Sequence, residues 1–136
     1  MSAAGELIFR EEDGSISFGN HLLEQKSKLS GFENAGDIYK VKSFREITKL
    51  EKNEMFVYES VPGTTVHHMK ETAKGMEFQV EGSQDVQITV EMEADTVYAI
   101  NVDGEDAGTM KTNLSGKLSM SVELEAGKTV LVRIEK

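Results

Sequence analysis

The chain has 136 residues, with 24 acids against 15 lysines and arginines, a formal charge of −9 and a pI near 4.8. That length suits one domain, residues 1–136, with a real core, and is too short for two. The negative charge repels phosphate backbones and so speaks against general nucleic-acid binding, while the absence of cysteine excludes disulfides and thiol chemistry.

The N-terminal stretch MSAAGELIFREEDG lacks the basic and apolar regions of a signal peptide, and no apolar run in the chain approaches a membrane span. The expectation is a cytoplasmic protein without a membrane partner. From Glu6 to Asn20 a hairpin is predicted: Leu7 and Phe9 share a face, Asp13-Gly14 turns, and Ile16 and Phe18 return. Leu22 to Leu29 suits either a strand or one to two turns of helix. Ser30-Gly31 and Asn34-Ala35-Gly36 then bound a loop whose Phe32 is expected to plug the core. Asp37 to Ser43 reads as a strand with Tyr39 and Val41 on one face and Lys40 and Lys42 on the other.

Ser43 to Asn53 is the helix candidate, centred on Phe44 to Lys52. Ser43 and Glu46 fit a capping box, and Phe44, Ile47 and Leu50 recur at three-residue spacing. The rival is a pair of strands turning at Lys52-Asn53-Glu54. Met55 to Ser60 is a strand, and Val61-Pro62-Gly63-Thr64 fits a type II turn, with Pro62 pre-setting φ and Gly63 at positive φ. Further strands are predicted at Thr65 to Lys70 and Gly75 to Glu81.

From Val86 onward apolar residues alternate strictly: Val86, Ile88, Val90 and Met92, then Tyr98, Ile100 and Val102. Leu118, Met120, Val122 and Leu124 repeat the pattern, followed by Val130, Val132 and Ile134. A shift of 32 residues superposes the two sets, and VEMEAD at Val90 matches VELEAG at Val122. Period two with one polar face marks half-buried antiparallel strands. Each copy reads as a strand, a polar turn and a returning strand, either two hairpins with shared turn chemistry or a duplication building one pseudo-symmetric sheet. Regular glycines from Gly63 to Gly127 add to the expectation of an all-β, antiparallel two-layer β-sandwich with one short helix.

Catalytic patterns are sparse. His67 and His68 are neighbours on a predicted strand, so they point to opposite faces and cannot jointly hold a metal there. No nucleophile elbow or phosphate loop appears. The acids Glu91, Glu93 and Asp95, with Asp103, Glu105 and Asp106, read as a solvated face, and Asp103-Gly104 as a β-turn. No catalytic residue, metal ligand or cofactor is assigned. One segment is locally basic: Lys40, Lys42, Arg45, Lys49 and Lys52 stand against Glu46 and Glu51, with Lys40 and Lys42 on the polar face of one strand and Arg45, Lys49 and Lys52 able to fall on the outer side of the predicted helix. Lys40, Lys42, Arg45 and Lys49 are therefore the candidate binding residues, for an anionic ligand or for the acidic hairpins of a second copy.

The residues from Thr96 to Lys136 resemble the last strands of accessory β-sandwich domains in carbohydrate-active enzymes. The segments GSISFGN (Gly14 to Asn20), DIYKVKSFREITKLEKNEMFVYESVPGTTV (Asp37 to Val66) and TNLSGKLSMSVEL (Thr112 to Leu124) resemble a family of small acidic bacterial proteins, some of them labelled endosialidase. That resemblance implies a carbohydrate-related role. Sialidases, however, typically use an arginine triad and a tyrosine–glutamate pair on a large propeller, whereas this chain has Arg10, Arg45 and Arg133 and no tryptophan. The expectation is a non-catalytic binding or structural protein, with a glycan hydrolase using paired carboxylates as the alternative.

Overall fold

The computed structural model describes residues 7–136, and the chain before them lies outside the description. Among the described residues there are thirteen strands and no helix. They are β1 (Ile8–Arg10), β2 (Ile16–Phe18), β3 (Ser27–Asn34), β4 (Asp37–Phe44), β5 (Ile47–Lys52), β6 (Met55–Val61) and β7 (Thr65–Glu71). β8 (Gly75–Glu81), β9 (Val86–Glu91), β10 (Val97–Val102), β11 (Glu105–Lys111), β12 (Lys117–Val122) and β13 (Thr129–Glu135) follow. They build two antiparallel sheets, not a barrel. One runs β1-β2-β7-β8-β13-β10-β11 and the other β12-β9-β6-β5-β4-β3. β1 and β3 touch across the layers. Counting from that edge, six strands stand over six, and β11 is left overhanging the edge strand β12.

The alternating apolar residues form the core. Ile88, Val90, Ile100, Met120, Val122 and Val132 are all buried, and Met92 and Val102 pack partly buried against them. Each fully buried side chain of this size contributes about 1.5–3 kcal/mol. Tyr58 stands at the centre, edge-on to Phe18 and Phe78 at centroid distances of 5.3 and 5.5 Å.

The predicted helix is absent. Ser43 and Phe44 end β4, Arg45-Glu46 turns, and β5 begins at Ile47, with Phe44 opposite Ile47. The three-residue spacing has a different origin: Phe44 and Ile47 are outward neighbours across the turn, while Leu50 faces inward and is fully buried. The hydroxyl of Ser43 is inside the sandwich. It accepts from the Asn20 amide and pairs with Thr48 Oγ1, each at 2.8 Å, so it caps nothing. The rival reading holds: β5 and β6 turn at Asn53-Glu54, both at positive φ (52° and 68°). Two positive-φ residues match the twist of a tight hairpin. The same geometry joins β3 to β4 at Ala35-Gly36 and β10 to β11 at Asp103-Gly104.

Three further expectations change. The loop around Phe32 is mostly strand β3, bulged between Leu29 and Phe32, where Gly31 takes φ 78°; Phe32 is half-buried against Tyr39 rather than a plug. Pro62 and Gly63 do not form a type II turn. The Val61–Pro62 peptide is cis and Gly63 is not at positive φ; a Cβ there would collide with the Phe44 carbonyl oxygen, so glycine is required for close approach. Finally, the strand β11 stands where only a turn and polar residues were expected.

The repeat has a counterpart in the fold, but its copies are not hairpins and do not build one sheet. β9 and β12 lie in the six-stranded sheet and β10 and β13 in the other, so each copy crosses between layers. Ile88 pairs with Met120 and Asn101 with Arg133. Both pairs join residues 32 apart, so each is a residue opposite its own repeat equivalent. A pseudo-two-fold axis therefore passes through the sandwich at those two points.

Candidate functional site

The six-stranded sheet presents its other face to solvent. On β4 the side chains of Lys40 and Lys42 point outward, because Val41 between them and Ser43 after them are fully buried. On β5 Lys49 and Glu51 point outward for the same reason, with Thr48 and Leu50 buried. The register then makes a row: Lys28 of β3 faces Lys42 of β4, and Lys42 faces Lys49 of β5. Lys40 and Glu51 form the next pair along the strands. Lys28, Lys40, Lys42, Lys49 and Glu51 line one surface groove of about 170 Å³.

Strands in a sheet are about 4.8 Å apart. Like charges directly opposite one another at that spacing repel by about 0.8 kcal/mol per pair even in a water-like dielectric. Relief is partial: Lys49 Nζ lies 3.6 Å from Glu51, and Glu59 of β6 stands opposite Lys49. Lys28 and Lys42, by contrast, face each other with no carboxylate between them in the register. An apolar row runs alongside. Phe44 and Ile47 are half-buried on this face, Val61 is 52% exposed, and the Lys26 ammonium sits 5.8 Å from the Phe44 ring centroid.

Of the four residues expected to bind, Lys40, Lys42 and Lys49 are brought together. Arg45 is not: it is exposed at the β4–β5 turn, where its carbonyl accepts from the Gly63 amide at 2.9 Å. Lys52, expected to join the outer side of a helix, faces the space between the sheets and pairs with Glu71 at 3.1 Å. Burial opposes its charge, but the Glu71 hydrogen bonds and neighbouring acids outweigh it and hold its pKa above the ordinary lysine value. Lys28 was missed. Its signal was the i, i+2 spacing with Lys26, the same as Lys40 and Lys42, which reads as one face once that segment is a strand.

Elsewhere the polar groups satisfy one another. A cleft at the end of the sandwich holds Glu71, Glu91 and Glu93, but Glu71 binds Lys52, Glu93 binds Lys136 at 2.9 Å, and Glu91 lies 4.0 Å from Lys117. His68, at φ 53° on a bulge of β7, has Ser15 Oγ at 3.2 Å, Glu11 at 3.7 Å and Asp13 at 3.8 Å. His67 turns to Glu81 at 3.2 Å. Among the described residues no group of three His, Cys, Asp or Glu side chains is placed to hold a metal, and no helix is long and apolar enough to cross a membrane. Set against protein-family models, curated proteins and solved structures, the chain matches none of them.

Proposed function

We propose that this protein is a non-catalytic β-sandwich binding protein whose lysine row holds an anionic chain, with carboxylated or sulfated glycans as the ligand class. The single observation behind this reading is the alignment of Lys28, Lys42 and Lys49 across three adjacent strands. Three cations in one row cost free energy in the free protein, and an anionic ligand removes that cost. The flanking Phe44, Ile47 and Val61 suit the apolar C–H edge of a sugar ring. The resemblance to accessory domains of carbohydrate-active enzymes points the same way. A glycan hydrolase needs two carboxyls facing one another across a scissile bond; the acid-lined cleft instead holds carboxylates engaged by lysines.

The test is retention on immobilised dextran sulfate and polygalacturonate, for wild type and for Lys28→Glu/Lys42→Glu/Lys49→Glu. Wild type is expected to bind at low salt and to release as the Debye length shrinks from about 14 Å to about 4 Å; the variant passes unretained. Equal retention of the two proteins overturns the reading. Sedimentation of the same pair separates the ligand from the acidic hairpins of a second copy: a wild-type dimer that dissociates in the variant would make the row a subunit contact instead.

A further inference from the structure

The pattern of satisfied polar groups has one exception in the interior. Among the described residues eight polar side chains are buried, and seven of them, all serine or threonine, are hydrogen-bonded. The eighth is Asn34, at the end of β3 and 9% exposed, whose amide has no hydrogen-bond partner among the described residues. A buried amide without a partner costs free energy, and each instance in a native fold calls for an account. None of these side chains has a polar atom that is both sealed from solvent and unpartnered, so the Asn34 amide must reach an opening.

That opening is a cleft of about 170 Å³ between the sheets, at the end of the sandwich where Glu71 also borders the acid-lined cleft. The register assembles its walls: Asn34 faces Asp37, and Tyr39 faces Lys52. Its floor is apolar, from the buried Leu50, Val57 and Met69. Tyr39 also lines it, and the Tyr39 hydroxyl likewise has no partner among the described residues. Burial pushes that phenol above its ordinary value, offset in part by the Lys52 ammonium, so the hydroxyl is uncharged. At the rim Asp37 and Glu71 cancel Lys52 and Lys70, which favours a neutral ligand. The lysine row lies on the opposite, outward side of β4 and β5.

We propose that this cleft binds an N-acetylhexosamine residue through its acetamido group. A trans secondary amide presents its C=O and N–H on opposite edges. Two unpartnered groups on different strands meet those two edges: the Asn34 amide donates to the carbonyl, and the Tyr39 hydroxyl accepts from the N–H. The acetyl methyl lies on the floor of Leu50, Val57 and Met69. An apolar floor with a few convergent polar groups is the usual make-up of a small-molecule site. The sugar ring stays at the mouth, where the carboxylates accept from ring hydroxyls and the ammoniums donate to them. A carboxylate, a phosphate or a free amine would bring a net charge that the balanced rim does not answer.

The experiment titrates the isotopically labelled full chain with N-acetylglucosamine, glucose and N-acetyl-lysine, read by the side-chain amide resonances of Asn34. N-acetylglucosamine is expected to shift them saturably in a roughly millimolar range, the scale of one small neutral ligand. Glucose, which lacks the acetamido group, leaves them unmoved, and N-acetyl-lysine, which lacks the ring hydroxyls, binds more weakly. By calorimetry Tyr39→Phe binds the sugar about three- to ten-fold more weakly, and Asn34→Leu at least as much more weakly. Asn34→Leu melts at or above the wild-type temperature, because it no longer buries a lone amide. Lys28→Glu/Lys42→Glu/Lys49→Glu binds N-acetylglucosamine as wild type does, which keeps this site separate from the lysine row. No saturable shift, an equal response to glucose, undiminished binding by Asn34→Leu or a lower melting temperature for that variant overturns the proposal. Tighter binding of N-acetyl-lysine overturns the sugar and makes the cleft a site for acylated side chains.

Discussion

The two ends of the six-stranded sheet share one pleat and one core but treat their outer faces in opposite ways. At the β9–β12 end, outward residues answer one another across the strands: Thr89 Oγ1 meets Ser119 Oγ at 2.8 Å, Ser121 donates to Gln87 at 2.7 Å, and Lys117 lies beside Glu91. At the β3–β5 end the same row positions carry Lys28, Lys42 and Lys49. The first face is chemically closed. The second retains repulsion between Lys28 and Lys42 that local pairing does not remove, which is the basis of the proposed anionic site.

The largest effect that can break this comparison is in the core behind it, on β10 of the seven-stranded sheet. Ile100→Asp places an unpaired carboxylate at a 3%-exposed core position and costs several kcal/mol, comparable with total stability. The variant should lose its cooperative thermal transition; a soluble, cooperatively melting protein would break the assignment of faces. Next is the joint between the ends, where Thr64 hydrogen-bonds Tyr58 Oη and Ser60 Oγ, each at 2.8 Å. Thr64→Val leaves both buried hydroxyls short of a partner and should destabilise by about 1–3 kcal/mol in urea denaturation.

Lys42→Glu sharpens the contrast. It puts an acid between Lys28 and Lys49, and should raise stability by about 0.2–1 kcal/mol while weakening anionic binding. A loss of stability would mean that the lysines are not in repulsion. Thr89→Ala and Ser119→Ala, combined in a double-mutant cycle, should show a coupling of a few tenths of a kcal/mol because the pair is exposed. The smallest effect concerns His21, which precedes β3. Burial lowers its pKa, and nearby His67 works the same way against an opposing Glu81. The neutral form is favoured in the fold, so its contribution is complete above about pH 6.5 and fades as pH falls through the lowered folded value. His21→Gln should flatten the dependence of the melting temperature on pH in that window.

Much of the sandwich was legible because period two survives wherever one face is buried. Val86 to Val102 and Leu118 to Ile134 declared their inward residues one by one. The pairing of those strands was not legible. A polar turn such as Glu93-Ala94-Asp95 looks the same whether the chain returns in its own sheet or crosses to the other. Ser43 to Asn53 misled because residues on two sides of a hairpin turn can imitate helical spacing, and because a serine buried in a hydroxyl cluster is indistinguishable in sequence from a helix cap. β11 carried no signal, since a strand exposed on both faces has no alternation. As for the candidate site, Lys40 and Lys42 followed from charge and strand parity, Lys49 from charge on the outer side of a helix that the structure replaces with β5, while Lys28 depended on a register that only the folded sheet supplies.

The position of Tyr58 has an optical consequence. The chain has no tryptophan, so its near-ultraviolet signal comes from tyrosine and phenylalanine. Tyr58 is fully buried between two phenylalanine rings, with its hydroxyl held by Thr64. Burial pushes its phenol far above the usual range, against the pull of the Thr64 and Ser60 hydrogen bonds. In an alkaline titration, the tyrosinate absorbance of Tyr58 should therefore appear only when the sandwich opens. This one ring is a built-in chromophore for unfolding, and it needs no dye, tag or introduced residue.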